Sequence, residues 1–177
     1  MNFHPLVVHF PIALLTFYAL FEVLPLARWY PSVSWADVKA LLVSFGGLGI
    51  LAAIATGQMA EHSLIARAAG RILYYHKLFA AASAAVFGII ALAYVIDWMF
   101  RKHGPWLRRT GIGPAWLHGA AKAVLHRRVI VPLAIVGFLV LFLAGIFGEM
   151  IVYGPNNDPI AHFVFTLFFP HGQGMLQ

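Results

Sequence analysis

The chain has 177 residues, of which 62% are hydrophobic and only 10% are charged. This composition, with a mean hydropathy of +0.84, excludes a soluble globular domain and predicts one compact membrane bundle without a separate soluble enzyme domain. The net charge of +6 is explained by membrane topology and attraction to anionic lipid, so we expect no nucleic-acid partner. The sequence has no cysteine, which leaves imidazole and carboxylate as candidate metal ligands.

Four apolar stretches are long enough to cross the bilayer: residues 5–27, 38–60, 73–98 and 129–153. A helix needs about 20 residues to span about 30 Å of hydrocarbon. Their apolar runs lack the alternation of barrel strands. We therefore predict an all-α integral membrane four-helix bundle, with residues 1–177 as a single transmembrane domain. We expect the first span to be retained, because no basic leader or small-residue cleavage pattern marks a signal peptide.

The distribution of lysine and arginine predicts the orientation. One side of the membrane carries nine of the twelve basic residues: Arg28, Lys39, Arg101, Lys102, Arg108, Arg109, Lys122, Arg127 and Arg128. The other side carries Arg67, Arg71 and Lys77. Because basic residues are enriched in cytoplasmic loops, we predict a multi-pass protein of the bacterial inner membrane with both termini in the periplasm.

Two further segments are expected to lie at the membrane interface. Residues 104–127 combine tryptophan and leucine with basic residues, which is typical of a cytoplasmic interfacial segment. Residues 159–170 are apolar but too short to span, and we predict a short interfacial helix there. As a half-buried lid, this helix would bring His162 to the histidine side; as an interfacial anchor or a subunit contact, it would not.

Four of the nine histidines fall at helix ends on the predicted periplasmic side: His4, His9, His62 and His76. An imidazole within a membrane span costs free energy, so a histidine there is expected to bind or carry an ion or a cofactor. Pro11 lacks the N–H that would bond the Val7 carbonyl, which loosens the helix turn around His9. His76 opens its span at a similar depth to His9. In the alternative interpretation, His4 is a solvated residue before the first helical turn and His62 ends a polar helix terminus.

Histidines at similar depth on two helices match the geometry of a haem with two axial imidazoles. We predict that His9 and His76 ligate the iron of a haem b, with His4, His62 and His162 as further candidates for the iron or for a second haem. Small residues in the second and third spans provide space for a porphyrin, although they serve close helix packing equally well. Arg67 and Arg71 are the candidate partners of the haem propionates, unless they only anchor the chain at the interface.

The opening His-Pro-Leu-Val-Val-His-Phe-Pro, the Ala-Thr-Gly-Gln-Met-Ala-Glu at the end of the second span and His76 resemble a widespread family of small predicted bacterial inner-membrane proteins, named only as a domain of unknown function. The resemblance covers about the first hundred residues. It carries over to seven positions: His4, Pro5, His9, Pro11, Gly57, Glu61 and His76. Some similar proteins are joined to periplasmic c-type cytochrome modules, which this chain lacks, so the resemblance implies electron transfer.

We therefore expect a membrane-bound b-type cytochrome that transfers electrons between the quinone pool and a periplasmic acceptor such as a cytochrome, with quinol as substrate, as a subunit of a larger respiratory complex. The first alternative is a histidine-rich protein that binds or transports a metal cation, and the second is a cofactor-free structural subunit. No hydrolase or phosphate-binding motif indicates an independent enzyme. Glu22, Asp97 and Glu149 lie within or beside spans, where carboxylates often mark proton or ion paths.

Overall fold

The computed structural model describes residues 4–61, 70–110 and 113–170, and within these ranges the chain is helical, without strands. The described helices are α1 (His4–Val23), α2 (Leu26–Trp29), α3 (Trp35–Glu61), α4 (Gly70–Thr110), α5 (Ala115–Leu125), α6 (Arg127–Tyr153) and α7 (Pro159–Phe168). The predicted all-α fold is confirmed.

Four of these helices, α1, α3, α4 and α6, are long and apolar enough to cross a membrane. Large apolar side chains point outward along them, including Leu6 at 76% exposure and Leu48 at 62%. In water such a surface would be strongly unfavourable, whereas in a bilayer it contacts lipid tails. The chain is therefore a multi-pass membrane protein built as a four-helix bundle.

The helix ends differ from the predicted span boundaries where proline intervenes. Helix α1 ends at Val23 and the short α2 begins after Pro25, because proline disfavours helical geometry in the residue before it. Helix α4 continues to Thr110, with a kink at the non-helical His103 two residues before Pro105. The predicted interfacial segment 104–127 therefore divides between the end of α4, the separate helix α5 and a connection between them.

The main core lies where α1, α3, α4 and α6 meet. Its fully buried side chains include Leu15, Tyr18, Phe87 and Ile130. A Cβ atom at Gly46 would lie 2.6 Å from Leu15 Cδ2, so glycine permits the close approach of α1 and α3. This packing fixes the relative positions of the helices that carry the histidines.

A second core joins α7 to α4 and α6. Phe147, fully buried, stacks on Tyr75 and Phe79, with ring centroids 5.5 and 5.6 Å apart, and Phe165 and Phe169 pack beside it. Asp158 caps α7 by accepting hydrogen bonds from Ala161 N–H and Ile160 N–H. The Ala161 hydrogen bond holds the pKa of Asp158 below its ordinary value, as expected for a carboxylate at a helix amino terminus. Helix α7 is therefore a packed part of the bundle.

A polar cluster lies at the opposite end of the bundle from His4 and His76. Glu22, on α1, accepts a hydrogen bond from Tyr94 on α4 (3.2 Å) and pairs with the Nζ of Lys39 on α3 at 2.9–3.0 Å. Glu22 follows His4, and Tyr94 follows His76, by 18 residues. Eighteen residues make about five full helical turns and a length of about 27 Å. Glu22 therefore lies on the same face of α1 as His4, and Tyr94 on the same face of α4 as His76. We call Glu22, Lys39 and Tyr94 the distal polar cluster.

Helix α5 is attached at this distal end by polar and aromatic contacts. His118 lies 3.1 Å from an Asp97 oxygen, and its ring stacks on Phe100 at a centroid distance of 4.6 Å. Asp97 also pairs with Arg101 at 2.9 Å. Trp116 of the same helix is 71% exposed. Two of the three carboxylates noted in the spans, Glu22 and Asp97, thus hold helices together at this end.

Candidate functional site

His4 and His76 meet between α1 and α4. Their ring centroids are 6.4 Å apart and their planes are nearly perpendicular, at 88°. His4 is the first described residue of α1, whereas His76 lies in the second turn of α4. Both rings are partly buried. The structure therefore brings together two of the candidate histidines, and we call them the histidine pair.

Each ring of the histidine pair is held through its Nδ1 atom. His76 Nδ1 lies 2.8 Å from the Ala144 carbonyl oxygen, which only accepts. His4 Nδ1 lies 3.1 Å from Thr56 Oγ1, and the Thr56 hydroxyl already donates to the Ala52 and Ala53 carbonyls. Both Nδ1 atoms are thus assigned as donors, and in neutral histidines the Nε2 atoms then carry the lone pairs. Hydrogen bonding of one ring nitrogen to orient the other is typical of metal-binding histidine.

Two glycines give the rings of the histidine pair their space. A Cβ atom at Gly148 on α6 would lie 3.2 Å from His76 Cε1, and one at Gly57 on α3 would lie 3.1 Å from His4 Cε1. Any larger side chain would push against an imidazole. All four long helices therefore shape this site: α1 and α4 supply the rings, while α3 and α6 supply the hydrogen-bond acceptors and the glycines.

The structure does not bring His9 together with His76, the two residues of the predicted axial pair. His9 is exposed, and its Nδ1 contacts the Pro5 carbonyl of its own helix. Five residues turn an α-helix by about 140° relative to the starting position. Because His4 faces the bundle interior, His9 faces another side of α1.

The remaining candidates are not gathered at the histidine pair. Arg71 is exposed and its guanidinium lies over the Phe169 ring at 5.2 Å. His162 is also exposed, and its Nδ1 lies 3.0 Å from Asn156 Oδ1. His62 and Arg67 lie outside the described residues.

Three contributors to the site were not anticipated as functional residues: Thr56, Ala144 and Gly148. Thr56 belongs to the Ala-Thr-Gly motif at the end of the second span, but nothing in that motif indicates that its hydroxyl contacts a histidine. Ala144 and Gly148 stand four residues apart in α6. Small residues at this spacing indicate a close helix approach, and this pattern was the available signal.

Within the described ranges, no group of three or more histidine, cysteine, aspartate or glutamate residues is placed to hold a metal ion. The histidine pair can thus supply two nitrogen ligands. A zinc site in a protein generally uses three or four protein ligands. An iron held equatorially by a porphyrin needs only two axial ligands.

Comparison with models of known protein families, curated proteins and solved structures finds no match to this chain. The resemblance of the amino-terminal motif to a family stays a prediction. Function is therefore inferred from the geometry of the site itself.

Proposed function

We propose that this protein is a membrane-bound b-type cytochrome in which His4 and His76 are the axial ligands of one haem b. The observation that carries the proposal is the spacing of the histidine pair. Metal-to-imidazole bonds of about 2.0–2.1 Å place two rings on opposite sides of one iron with centroids about 6 Å apart. The observed 6.4 Å suits this arrangement, and perpendicular ring planes are compatible with it.

The residues that surround the histidine pair also support this proposal. The Ala144 carbonyl and the Thr56 hydroxyl orient the imidazoles, while Gly57 and Gly148 keep the neighbouring backbone close. Bound haem supplies a one-electron redox couple, while the protein holds and orients it and limits the access of water.

A cation-binding function is the second candidate, because two imidazoles bind many divalent metals. The number of ligands favours haem, since the described residues provide a pair and no third ligand completes a protein-only site. The distribution of lysine and arginine predicts that the histidine end faces the periplasm of a bacterial inner membrane. The protein would pass electrons to an acceptor there, within a larger respiratory complex.

The absorption spectrum of detergent-purified protein tests the proposal. We expect a Soret band and a sharp reduced α-band in the wild type. His4→Ala and His76→Ala should each lose most of the haem signal, because each removes an axial ligand. His9→Ala is the matched control and should keep it, since His9 faces away from the pair.

Three results would contradict this assignment. Retention of the full haem signal in both His4→Ala and His76→Ala would refute the axial pair. A colourless protein with a stoichiometric metal by elemental analysis would favour cation binding. A colourless, metal-free protein after expression with adequate haem supply would favour a structural subunit.

Substitution Gly148→Ala should weaken haem retention about tenfold. The added Cβ would stand 3.2–3.3 Å from the His76 ring atoms Cε1 and Nδ1, so the ring must shift relative to the Ala144 carbonyl. Disturbing a partner that orients a metal ligand typically costs about 10–100-fold in affinity. Haem transfer to apomyoglobin, followed by absorbance, measures this change. Gly88→Ala is the control, because a Cβ there meets nothing within 4 Å; equal retention in both variants would contradict the prediction.

A further inference from the structure

A cavity of about 200 Å³ lies between α1 and α6, beside the histidine end of the bundle. Its lining is mostly apolar and includes Ile12, Phe138 and Phe142, with Thr16 and Glu149 as polar members. Ile12 and Phe142 are 37% and 47% exposed. In a bilayer, the cavity is therefore accessible from the lipid side. We call it the lipid-side cavity.

The polar and apolar groups of this cavity are separated along α6. Glu149 is near the end of α6, while Phe138 is 11 residues earlier, which corresponds to about 16 Å along the helix. Glu149 Oε1 accepts a hydrogen bond from Asn157 Nδ2 at 3.0 Å. The cavity thus has a carboxylate at one end and aromatic rings toward the middle of the membrane. This distribution matches a ligand with a polar head and a long apolar tail.

The carboxylate end is adjacent to the histidine pair. Gly148, the residue before Glu149, approaches the His76 ring, and Ala144, the residue before Gly145 of the cavity lining, accepts the His76 Nδ1 hydrogen bond. The same two turns of α6 therefore face His76 on one side and the lipid-side cavity on another. A molecule whose head is near Glu149 would be separated from His76 by the thickness of one helix.

We propose that the lipid-side cavity binds the head group of a lipid-soluble quinol, with its apolar tail along Ile12, Phe138 and Phe142. The choice of quinol rests on the proposed cytochrome function, because a quinol carries electrons within the bilayer. The Glu149 carboxylate accepts a hydrogen bond from a quinol hydroxyl. Oxidation of a quinol to a quinone would break two O–H bonds and release two protons and two electrons. Glu149 would accept the first proton, lose it to the aqueous phase at the end of α6, and then accept the second. The electrons would pass one at a time to the iron centre of the proposed function, which its periplasmic acceptor would reoxidise between the two steps.

Gly145 allows this cavity to be filled without disturbing the fold. It lines the cavity, and a Cβ there would meet nothing within 4 Å. Gly145→Val should therefore occupy the binding space. Gly88→Val on α4 is the matched control, because Gly88 is also exposed, also has no neighbour within 4 Å of an added Cβ, and lies outside the cavity.

The first experiment measures binding and needs no haem. The protein is reconstituted in phospholipid vesicles with a short-chain azidobenzoquinone, irradiated, and digested for mass spectrometry. We expect labelled peptides from the cavity walls on α1 and α6 in the wild type and Gly88→Val, with at least a fivefold loss of labelling in Gly145→Val. Equal labelling of all three proteins would overturn the proposal. Labelling that does not fall when unlabelled quinone is added would also overturn it, and would identify a surface occupied by bulk lipid only.

The second experiment measures reduction of the haem-loaded protein by a short-chain benzoquinol. We expect the rate to fall at least tenfold in Gly145→Val and about a hundredfold in Glu149→Gln, which removes the proton acceptor. Dithionite should reduce every variant fully. Reduction by dithionite but not by quinol in the wild type would refute the quinol site while leaving the cytochrome assignment intact. A protein without haem would refute the cytochrome assignment, and azidoquinone labelling would still decide whether quinone binds.

Discussion

Replacing Phe147 by alanine is expected to lower the free energy of unfolding by about 3 kcal/mol and to weaken haem binding. Phe147 is fully buried and packs on Tyr75, Phe79 and Phe168, with ring centroids 5.2–5.6 Å away. Its removal leaves a cavity lined by aromatic rings, and large-to-small substitutions of this kind cost about 3–5 kcal/mol in soluble cores. The lower value is appropriate in a membrane, where packing rather than water exclusion drives association.

The effect on haem follows from the neighbours of Phe147 in the chain. Gly148 lies close to His76, since a Cβ added there would be 3.2 Å from the ring, and Tyr75 precedes His76. Loss of the ring between them should loosen α6 against α4 and lengthen the hydrogen bond from His76 Nδ1 to the Ala144 carbonyl. Unfolding in mixed micelles at increasing SDS fractions, followed by circular dichroism, gives the stability change. Haem transfer gives the second readout.

Phe142→Ala is the matched control for this prediction. Phe142 lies on the same helix but is 47% exposed toward lipid and stacks only loosely on Phe138, at 6.2 Å. We expect a destabilisation below about 1 kcal/mol, since lipid tails fill the space that the ring leaves. Equal destabilisation by Phe142→Ala and Phe147→Ala would show that the second core does not hold α7 and α6 to α4.

The number and kind of the long helices could be predicted because each corresponds to one long apolar run in the sequence. A run of 20 or more apolar residues has few alternatives to a membrane helix. The ends of the helices depend on local chemistry that the apolar runs do not contain. Helix α1 ends at Val23, before Pro25, and α4 runs past the predicted boundary to Thr110, with a kink at His103.

The candidate site was predictable in part. The sequence indicated His76 and the end of the bundle at which it lies, because His76 opens an apolar run. It did not indicate whether His4 or His9 turns toward His76. Helix α1 is apolar on nearly every side, and a helix without a polar face gives no rotational reference. The rotation of α1 is fixed by packing instead, with Gly46 of α3 against Leu15 of α1.

Lys39→Ala is expected to destabilise the protein by about 3 kcal/mol, an effect as large as the loss of Phe147. The Glu22 side chain is only 6% exposed, and Lys39 Nζ lies 2.9 Å from its carboxylate. The substitution would leave the carboxylate buried without its cation, while the Tyr94 hydroxyl still donates to it. Removing one partner of a buried ion pair typically costs about 3–5 kcal/mol, because the other charge remains uncompensated. The Lys39 side chain is 19% exposed, which favours the lower end of this range.

The double variant Lys39→Met/Glu22→Gln separates two explanations of this loss. If the cost comes from an uncompensated charge, the neutral pair should recover most of the stability, since the introduced amide oxygen can still accept from Tyr94 and methionine fills the space of the lysine stem. If it comes from lost packing of the lysine stem, Lys39→Met alone should recover it. The SDS unfolding midpoint measures the stability of each variant. Lys102→Ala is the control and should change the midpoint little, because the Lys102 amine lies over the exposed Trp98 ring at 5.2 Å. A full recovery by Lys39→Met alone would contradict the charge explanation. Recovery only in the double variant would show that the distal polar cluster requires charge balance rather than charge itself to join α1, α3 and α4.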